Sequence, residues 1–302
     1  MTIAPESISV LGLGTIGSTL ATIFLDKGHP VTVWNRTLEK AEPLLSKGAT
    51  VAKSPADCAL SGTVVLISLA SDEVVRDVLG RLPTLPDRTV INFTTSRPQW
   101  EIMIADLVTN KLNAAGYLHG WINAFPAELL AQQAVVRYSG LKSVFLRKEH
   151  ICKALGTALW VSDDHRKMCM LENAAVFMFA GTCAAFIQAL ALAGAAGVDR
   201  LDFAQEALLP VLPRSHDFLV EMAKLDRSQS YSLAPDMISV SAMLDLVSKG
   251  RETAETTGVS ARLMESFQAL LRQAVELGKG LEDSSAVIQI LRRGSSCERD
   301  TA

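Results

Sequence analysis

Three glycines near the beginning of the chain have the spacing of a phosphate-binding turn. Gly12, Gly14 and Gly17 lie at the end of an apolar run, residues 8–13, and at the beginning of a helical pattern that Gly28 ends. In a strand–turn–helix of this kind the first glycine permits the tight turn, the second lets the backbone approach a pyrophosphate, and the third lets the helix pack on the strand. The unpaired N–H groups at the start of the helix then attract the phosphates. The pattern predicts dinucleotide binding by a βαβ unit.

The residues after the second apolar run, 31–34, indicate which dinucleotide is bound. A site for NAD usually has an aspartate or glutamate there, which binds the ribose 2′-hydroxyl. This chain instead has Asn35, Arg36 and Thr37, and Lys40 follows. A carboxylate would repel a 2′-phosphate, whereas a guanidinium can pair with it through two hydrogen bonds. We therefore predict NADP(H) as the cofactor. The alternative is that Arg36 and Lys40 are only solvated surface cations.

Strand and helix patterns alternate through the first half of the chain. Short apolar runs rich in β-branched residues lie at 64–69 and 89–93, and weaker strand patterns lie at 117–124 and 134–139. From Asp163 onward the period is helical almost to the end. This alternation predicts an α/β Rossmann domain, a doubly wound parallel sheet with crossover helices. We place this NADP-binding domain at residues 1–162, and an all-α domain for dimerisation and substrate binding at residues 163–302.

The composition argues against several classes of protein. The 302 residues are 49% hydrophobic and 20% charged, with a net charge of −3, so a packed core is expected. The sequence has no basic stripe of the kind that binds nucleic acid. Its five cysteines are scattered without a C-x-x-C pair, which predicts reduced thiols and no metal site. The N-terminus lacks the basic region and cleavage site of a secretion signal, so we expect a cytoplasmic protein.

One uncharged stretch, residues 173–198, is long enough to span a bilayer. Alanine dominates it, and a charged run at residues 163–167 precedes it, so we expect a central helix packed through small residues and no membrane partner. The remaining helices are too few to cover such a helix easily. A homodimer in which the helical domains embrace would bury it, because obligate interfaces are large and apolar. A helix bundle that covers it within one chain is the alternative.

Motifs spread over nearly the whole chain carry a family resemblance. The most specific is W-N-R-T-x-x-K at residues 34–40. The others lie at residues 12–17, 90–94, 119–126, 138–140, 155–156 and 282–292. With these motifs the chain resembles the imine reductase and reductive aminase family, a branch of the β-hydroxyacid dehydrogenase and phosphogluconate dehydrogenase superfamily.

The resemblance implies an architecture and a reaction. The architecture is a Rossmann domain, a long interdomain helix and an intertwined homodimer, with each active site between one subunit's nucleotide domain and its partner's helices. The reaction is hydride transfer from NADPH to the carbon of a C=N bond. The substrate is an imine, or a ketone and an amine that condense before reduction.

The resemblance also implies site residues. Asn92 matches a position near the nicotinamide, and Asp236 aligns with a substrate-facing polar position contributed by the partner subunit. The predicted catalytic residues are Glu172, Asn92 and Asp236. The predicted cofactor-binding residues are Gly12, Leu13, Gly14, Thr15, Ile16, Gly17, Asn35, Arg36, Thr37, Lys40, Ser68, Leu69, Ala70, Asn92 and Thr94.

Glu172 stands at the position that carries the chemistry in this superfamily. The resemblance implies a catalytic lysine there in β-hydroxyacid dehydrogenases and an aspartate or tyrosine in imine reductases, so the missing lysine argues against a hydroxyacid substrate. The alternative is a shifted alignment that places Lys167, five residues earlier, at this position. Burial favours a neutral carboxyl group and a nearby cation favours an ionised one. Two roles therefore stay open: proton donation to an imine nitrogen, or stabilisation of an iminium ion by a carboxylate. A carboxylate that serves only the helix dipole is the third alternative.

We therefore predict an NADPH-dependent imine reductase that serves secondary-metabolite biosynthesis. One alternative is reduction of a carbonyl or an activated C=C bond by the same hydride geometry. The other is an NADPH-binding dimeric sensor or scaffold without turnover. The altered catalytic position, and Ala180 where reductive aminases often have tyrosine, are the reasons to retain the second alternative.

Overall fold

The computed structural model describes residues 5–208 and 212–293. The chain divides into two compact units, the first ending at Phe177 and the second beginning at Met178. This division falls inside one long helix, His165–Ala195. The domain boundary predicted after residue 162 lies just before that helix begins, and it stays a prediction.

One sheet of eight strands forms the centre of the first unit. Its order is β3-β2-β1-β4-β5-β6-β7-β8 when the strands are numbered along the chain. The strands are β1 (Ile8–Leu11), β2 (Val31–Trp34), β3 (Thr50–Val51), β4 (Val64–Ile67), β5 (Thr89–Asn92), β6 (Gly116–Ile122), β7 (Val135–Ser139) and β8 (Thr157–Ser162). The order changes direction at β1 and β4, and ligands of doubly wound sheets bind at such a switch point.

The predicted Rossmann fold is confirmed, with two differences. The sheet is not wholly parallel, because β6 and β7 run antiparallel. Their connection contains only the short helix Pro126–Leu130, and antiparallel neighbours do not need a full crossover helix. The second difference is that β3 and β8 were not predicted. β3 has only two residues, and β8 has a short apolar run at residues 158–161 that was overlooked.

Helices of very different lengths connect the strands and then make up the second unit. Those of the first unit are α1 (Thr15–Asp26), α2 (Glu42–Leu45), α3 (Pro55–Ser61), α4 (Asp72–Leu79), α5 (Pro98–Asp106), α6 (Pro126–Leu130), α7 (Lys142–Arg147) and α8 (Glu149–Lys153), with a 3₁₀ turn at Leu38–Ala41 and a π turn at Leu107–Lys111. Then follow α9 (His165–Ala195), α10 (Arg200–Asp202), α11 (Leu212–Ser228), α12 (Val240–Thr256), α13 (Arg262–Glu276) and α14 (Ile288–Arg293), with a π turn at Phe203–Leu208 and a 3₁₀ turn at Ser284–Val287.

The sheet of the first unit is covered on both faces. In β4, Val64 and Leu66 pack in one apolar cluster with Phe24 of α1. Val65 and Ile67 pack in a second cluster that includes residues of α4 and α5. Successive residues of a strand point to opposite faces, so the two clusters are the two covered faces. A continuous apolar run of this kind is typical of a buried parallel strand.

The second unit is helical in its described residues and has a smaller core. That core includes Tyr231, Val240, Leu271 and Ile290. An isolated β-bridge joins Ser239 to Asp283, and the carboxylate of Asp283 accepts a hydrogen bond from the N–H of Ser285 at 2.8 Å. The prediction of an all-α second half is therefore confirmed for these residues.

Helix α9 has a long apolar stretch that the described chain leaves largely uncovered. It is long and apolar enough to cross a membrane, and none of its most apolar 18-residue window is buried in the described chain. Phe177 is 79% exposed and Ile187 61%. Within the described residues these side chains are left exposed, and both the homodimer and cover by helices of the same chain stay predictions.

Candidate active site

A cavity of about 570 Å³ opens at the carboxyl ends of β1, β2 and β4. This is the edge of a doubly wound sheet where ligands bind. Most of the predicted cofactor-binding residues line it: Gly12, Gly14, Thr15, Ile16, Asn35, Arg36, Thr37, Lys40, Ser68, Leu69 and Ala70. It is also lined by residues that were not predicted, namely Trp34, Pro55, Val74, Asp77, Val78 and Arg81.

Glycine is needed at each position of the first turn for a different structural reason. A Cβ atom on Gly12, whose φ is +99°, would lie 2.1 Å from the carbonyl oxygen of Ser68, so only glycine fits. A Cβ on Gly17 would lie 1.9 Å from the carbonyl oxygen of Gly12. Gly14 has open space around it and forms the N-cap of α1 without a side-chain cap. Its turn therefore presents the free N–H groups of a helix N-terminus to the cavity, which suits a phosphate.

The loop after β2 supplies two cations to the same cavity. Arg36 and Lys40 are exposed, and among the described residues no carboxylate lies within ion-pairing distance of either. Asn35 fixes the loop: its Oδ1 accepts from the N–H of Leu13 at 3.0 Å, and its Nδ2 donates to the carbonyl of Thr37 at 2.9 Å. The donors around this cavity fit the phosphates of a dinucleotide, including a 2′-phosphate.

Four predicted cofactor residues do not line this cavity. Leu13, Gly17, Asn92 and Thr94 are all buried. Two of them support the wall from behind, because Leu13 bonds to Asn35 and the Thr94 hydroxyl accepts from the N–H of Leu69 at 3.0 Å. Contact of these four with a cofactor stays a prediction.

A second cavity, of about 380 Å³, shares Ala70 with the first. Its other lining residues are Ser71, Asp72, Glu73, Thr95, Ser96, Arg97 and Asn173. The carboxylate of Asp72 accepts from the Ser96 hydroxyl at 2.7 Å and pairs with Arg97 at 2.9 Å. The Asn173 amide donates to the carbonyl of Ser96 at 3.0 Å, which ties α9 to this wall. Glu172 is the neighbour of Asn173 on that helix.

Glu172 belongs to a buried charged network of the first unit. Its Oε2 lies 3.0 Å from Nε2 of His119 on β6, and Nδ1 of His119 lies 3.3 Å from Oε2 of Glu101 on α5. His119 and Glu101 are fully buried, and Glu172 is 2% exposed. Glu101 is held in turn by the hydroxyl of Tyr117 and, at 3.3 Å, by the amide of Asn92.

The carboxyl groups of Glu101 and Glu172 determine the charge of His119. Burial acts to lower the pKa of the imidazole, but the negative charges and hydrogen bonds of Glu101 and Glu172 outweigh it and raise the pKa to about 10. Burial acts to raise the pKa of Glu101, and the facing imidazolium and the Tyr117 hydroxyl bring it below its ordinary value. At neutral pH His119 is therefore an imidazolium, with the carboxylate of Glu101 facing one ring nitrogen and the carboxyl group of Glu172 facing the other.

Donor atoms of His119, Cys169 and Glu172 lie within 4.8 Å of one another, a spacing that a metal ion could bridge. Burial raises the pKa of the Cys169 thiol well above its ordinary value. The imidazolium directs its two nitrogens at Glu101 and Glu172. A metal ion would have to displace both an imidazole proton and the thiol proton. These three residues are therefore better described as part of an ion-pair network than as a metal site.

The structure brings two of the three predicted catalytic residues into one network. Asn92 and Glu172 are linked through Glu101 and His119. Neither lines the two cavities described above, so their contact with substrate stays a prediction. Glu172 lies two turns into α9 and pairs with His119, so the interpretation in which it serves only the helix dipole is wrong. Asp236 is an exposed residue of the second unit.

Sequence reasoning missed Glu101, and gave His119 no role although it lies in a quoted motif. Each is a polar residue at a position that its neighbours mark as buried, since β6 is apolar around His119 and α5 is apolar around Glu101. That signal predicts a pairing partner for each residue but does not identify it.

Comparison with known proteins gives matches over both halves of the chain. The family model for the NAD binding domain of 6-phosphogluconate dehydrogenase matches residues 7–115, and the model for the C-terminal domain of NADPH-dependent reductive aminase-like proteins matches residues 164–293. The chain is 30% identical over 300 residues to an NADPH-dependent reductive aminase of Aspergillus oryzae (strain ATCC 42149 / RIB 40), covering 97% of this chain and 99% of that protein.

Two solved structures from Aspergillus terreus are similar over the same length. One is a reductive aminase in complex with NADPH and ethyl-5-oxohexanoate (28% identity, 95% of this chain and 100% of that chain, TM-score 0.88). The other is an imine reductase in complex with NADPH4 and a dibenzazepine (28% identity, 95% and 100%, TM-score 0.84). The resemblance predicted from the motifs is confirmed: the chain belongs to the imine reductase and reductive aminase family of NADPH-dependent oxidoreductases.

Proposed function

We propose that this protein is an NADPH-dependent imine reductase, which transfers hydride from NADPH to the carbon of a C=N bond. The observation that carries this proposal is the arrangement of the two cavities in the first unit. The cavity with the glycine turn and two cations meets, at Ala70, a second cavity bounded by Asn173. Asn173 is adjacent in sequence to Glu172, the carboxylate at the family's catalytic position.

NADP(H) suits the first cavity for three reasons. The uncapped N-terminus of α1 meets the pyrophosphate, and Gly14 leaves the backbone accessible. Arg36 and Lys40 pair with the 2′-phosphate, which distinguishes NADP(H) from NAD(H). When bound, the cofactor supplies the hydride. The residues at the carboxyl ends of β1, β2 and β4 would hold the dinucleotide, and the second cavity, which adjoins the first at Ala70, would take the substrate.

The substrate is an imine or iminium ion, or a ketone and an amine that condense in the site. One relative binds a keto ester and another a nitrogen heterocycle, both with a nicotinamide cofactor, and we extend this substrate range to the present chain. Hydride addition to an iminium carbon moves the C=N π electrons onto nitrogen and gives the amine. Glu172 supplies no hydride. Its role is to favour the positively charged form of the C=N group, which accepts hydride more readily.

A homodimer is part of the proposal. The apolar side chains of α9 are exposed within one chain, and a second copy offers the same surface. Asp236 would then reach a site of the partner subunit, as the family pattern implies. We also propose a cytoplasmic enzyme in the biosynthesis of a nitrogen-containing secondary metabolite.

Oxidation of NADPH with a substrate panel tests the proposal. The panel contains a cyclic imine, a ketone alone, the same ketone with an amine, and an enone. Consumption of NADPH with the imine, or with the ketone only when the amine is present, supports the proposal. Consumption with the ketone or the enone alone would make the protein a carbonyl or C=C reductase. Tight NADPH binding without oxidation across the panel would make it a sensor or scaffold.

A further inference from the structure

Glu172 and His119 form a buried pair whose geometry bears on how the reaction is catalysed. Oε2 of Glu172 and Nε2 of His119 are 3.0 Å apart, and both side chains are almost fully removed from solvent. A carboxyl group buried alone takes up a proton, because a low-dielectric environment disfavours its charged form. A cation at hydrogen-bonding distance reverses that preference. The state of Glu172 therefore depends on the charge of His119.

Glu101 is the second ion-pair partner of His119 and favours its charged form. Its carboxylate faces Nδ1 at 3.3 Å, on the opposite side of the ring from Glu172. Tyr117 and Asn92 bond to Glu101, so it cannot turn away without losing both contacts. A histidine held by a carboxylate on one ring nitrogen presents its other nitrogen in a fixed direction.

The other titratable groups of the network do not compete for this role. From α9, burial raises the pKa of the Cys169 thiol, so it stays neutral. Burial also lowers the pKa of His165, whose Nδ1 bonds to the Ser139 hydroxyl at 2.9 Å, so it is neutral at pH 7. From β6, burial raises the pKa of Tyr117 well above its ordinary value. The charges that remain are those of Glu101, His119 and Glu172.

We propose that His119 is a positioning residue whose imidazolium, held by Glu101, keeps Glu172 as a fixed carboxylate, so that Glu172 stabilises an iminium substrate as an anion and donates no proton. This inference rests on the proposed function and decides between the two roles of Glu172 that the sequence leaves open. The proton balance follows from it. The imine takes its proton from solvent before reduction, hydride adds to carbon, the π electrons become the lone pair of the amine, and Glu172 is ionised before and after.

Two substrates separate the two roles. A neutral cyclic imine needs a proton before or during reduction, whereas its N-methyl iminium counterpart is permanently charged and needs none. For an anionic Glu172, Glu172→Gln should lower kcat/KM for both substrates by a similar factor, roughly 10²-fold. A proton donor would instead be needed for the neutral imine alone, so an unchanged rate with the N-methyl iminium ion would overturn the inference.

His119→Gln tests the positioning role through a pH profile. Without the imidazolium, burial favours the protonated form of Glu172, so kcat should fall at neutral pH and recover as the pH rises. The wild-type kcat should be flat over the same range, and the KM for NADPH should be the same in both. The matched control is His150→Gln, since His150 pairs with Glu6 at 2.7 Å outside the network, and it should behave as wild type. A uniform loss at every pH in His119→Gln would mean a purely structural role.

A measurement on the wild-type enzyme covers the case in which His119→Gln does not fold. The chain has five histidines, and ring-nitrogen NMR of the labelled enzyme should show one that keeps both ring protons at about pH 8, where an ordinary imidazole has lost one. Absence of such a signal contradicts the inference. A wild-type enzyme that reduces no imine at all would contradict the proposed function instead, so the two failures are distinguishable.

Discussion

Asn35 joins the two loops that form the phosphate end of the first cavity, because its Oδ1 accepts a hydrogen bond from the backbone N–H of Leu13 at 3.0 Å. Leu13 lies in the glycine turn, and Asn35 directly follows β2. The same side chain donates to the carbonyl of Thr37 at 2.9 Å. The side-chain amide of Asn35 therefore holds the loop that carries Arg36 next to the N-terminus of α1.

Asn35→Ala should weaken NADPH binding. The change deletes two hydrogen bonds, each contributing about 1 kcal/mol, and releases the loop that carries Arg36. We expect a roughly tenfold higher Kd for NADPH by titration of cofactor fluorescence, and a small loss in the free energy of unfolding. An unchanged Kd would show that the loop holds its position without Asn35.

Arg36→Gln should change the choice of cofactor. A charge-assisted hydrogen bond contributes about 1.5–3 kcal/mol, so the Kd for NADPH should rise by about 10- to 100-fold while that for NADH stays the same. Arg137→Gln is a suitable control, because Arg137 stacks on Trp121 and does not line the cavity. An equal loss of affinity for both cofactors would place Arg36 away from the 2′-phosphate.

The first two glycines of the turn should respond differently to alanine. Gly12→Ala places a Cβ 2.1 Å from a carbonyl oxygen at a φ of +99°, so we expect a loss of several kcal/mol in the free energy of unfolding or no folded protein. Gly14→Ala has open space and an ordinary φ of −71°, so the protein should fold with a Tm near that of wild type. Its methyl group should nevertheless obstruct the pyrophosphate and lower NADPH affinity. Comparable melting and binding in both variants would refute this assignment.

Stability should fall between neutral and alkaline pH because of His119. Its pKa is about 10 in the folded protein and about 6.5 in an unfolded chain. The stabilisation is therefore complete below about pH 6.5 and is lost as the pH rises through about 10, at a slope of at most about 1.4 kcal/mol per pH unit. Urea unfolding at several pH values should show this slope in wild type and in His150→Gln, and its absence in His119→Gln.

Phe177→Asp should dissociate the proposed dimer. Phe177 is 79% exposed on α9, and burying an aspartate in an apolar interface without a partner costs several kcal/mol. Sedimentation should show a monomer at concentrations where wild type is dimeric. Leu38→Asp, also at an exposed apolar position, should leave the dimer intact. If wild type is itself a monomer, or requires detergent to stay in solution, the second copy is not what covers α9.

The features that depend on residues close together in the sequence could be predicted. The glycine turn, β1, β2 and the cations after β2 lie within one short segment whose spacing has a direct geometric meaning. The weaker strand patterns at β6 and β7 were also confirmed. The antiparallel orientation of these two strands was not predicted, because an apolar pattern does not indicate strand direction.

The buried network could not be predicted in the same way. Glu101, His119 and Glu172 come from α5, β6 and α9, which are far apart in the sequence. Only the tertiary fold brings each of the two carboxyl groups within 3.3 Å of the His119 ring. The sequence shows three polar residues in apolar surroundings and leaves their partners open. Because the role of Glu172 depends on those partners, the sequence leaves both roles open.

Helix α9 runs unbroken through 31 residues, a length of about 46 Å at the helical rise per residue. Glu172 and Ile187 both lie on this one helix. In the proposed dimer, dissociation on dilution should therefore also alter the pair that Glu172 forms with His119.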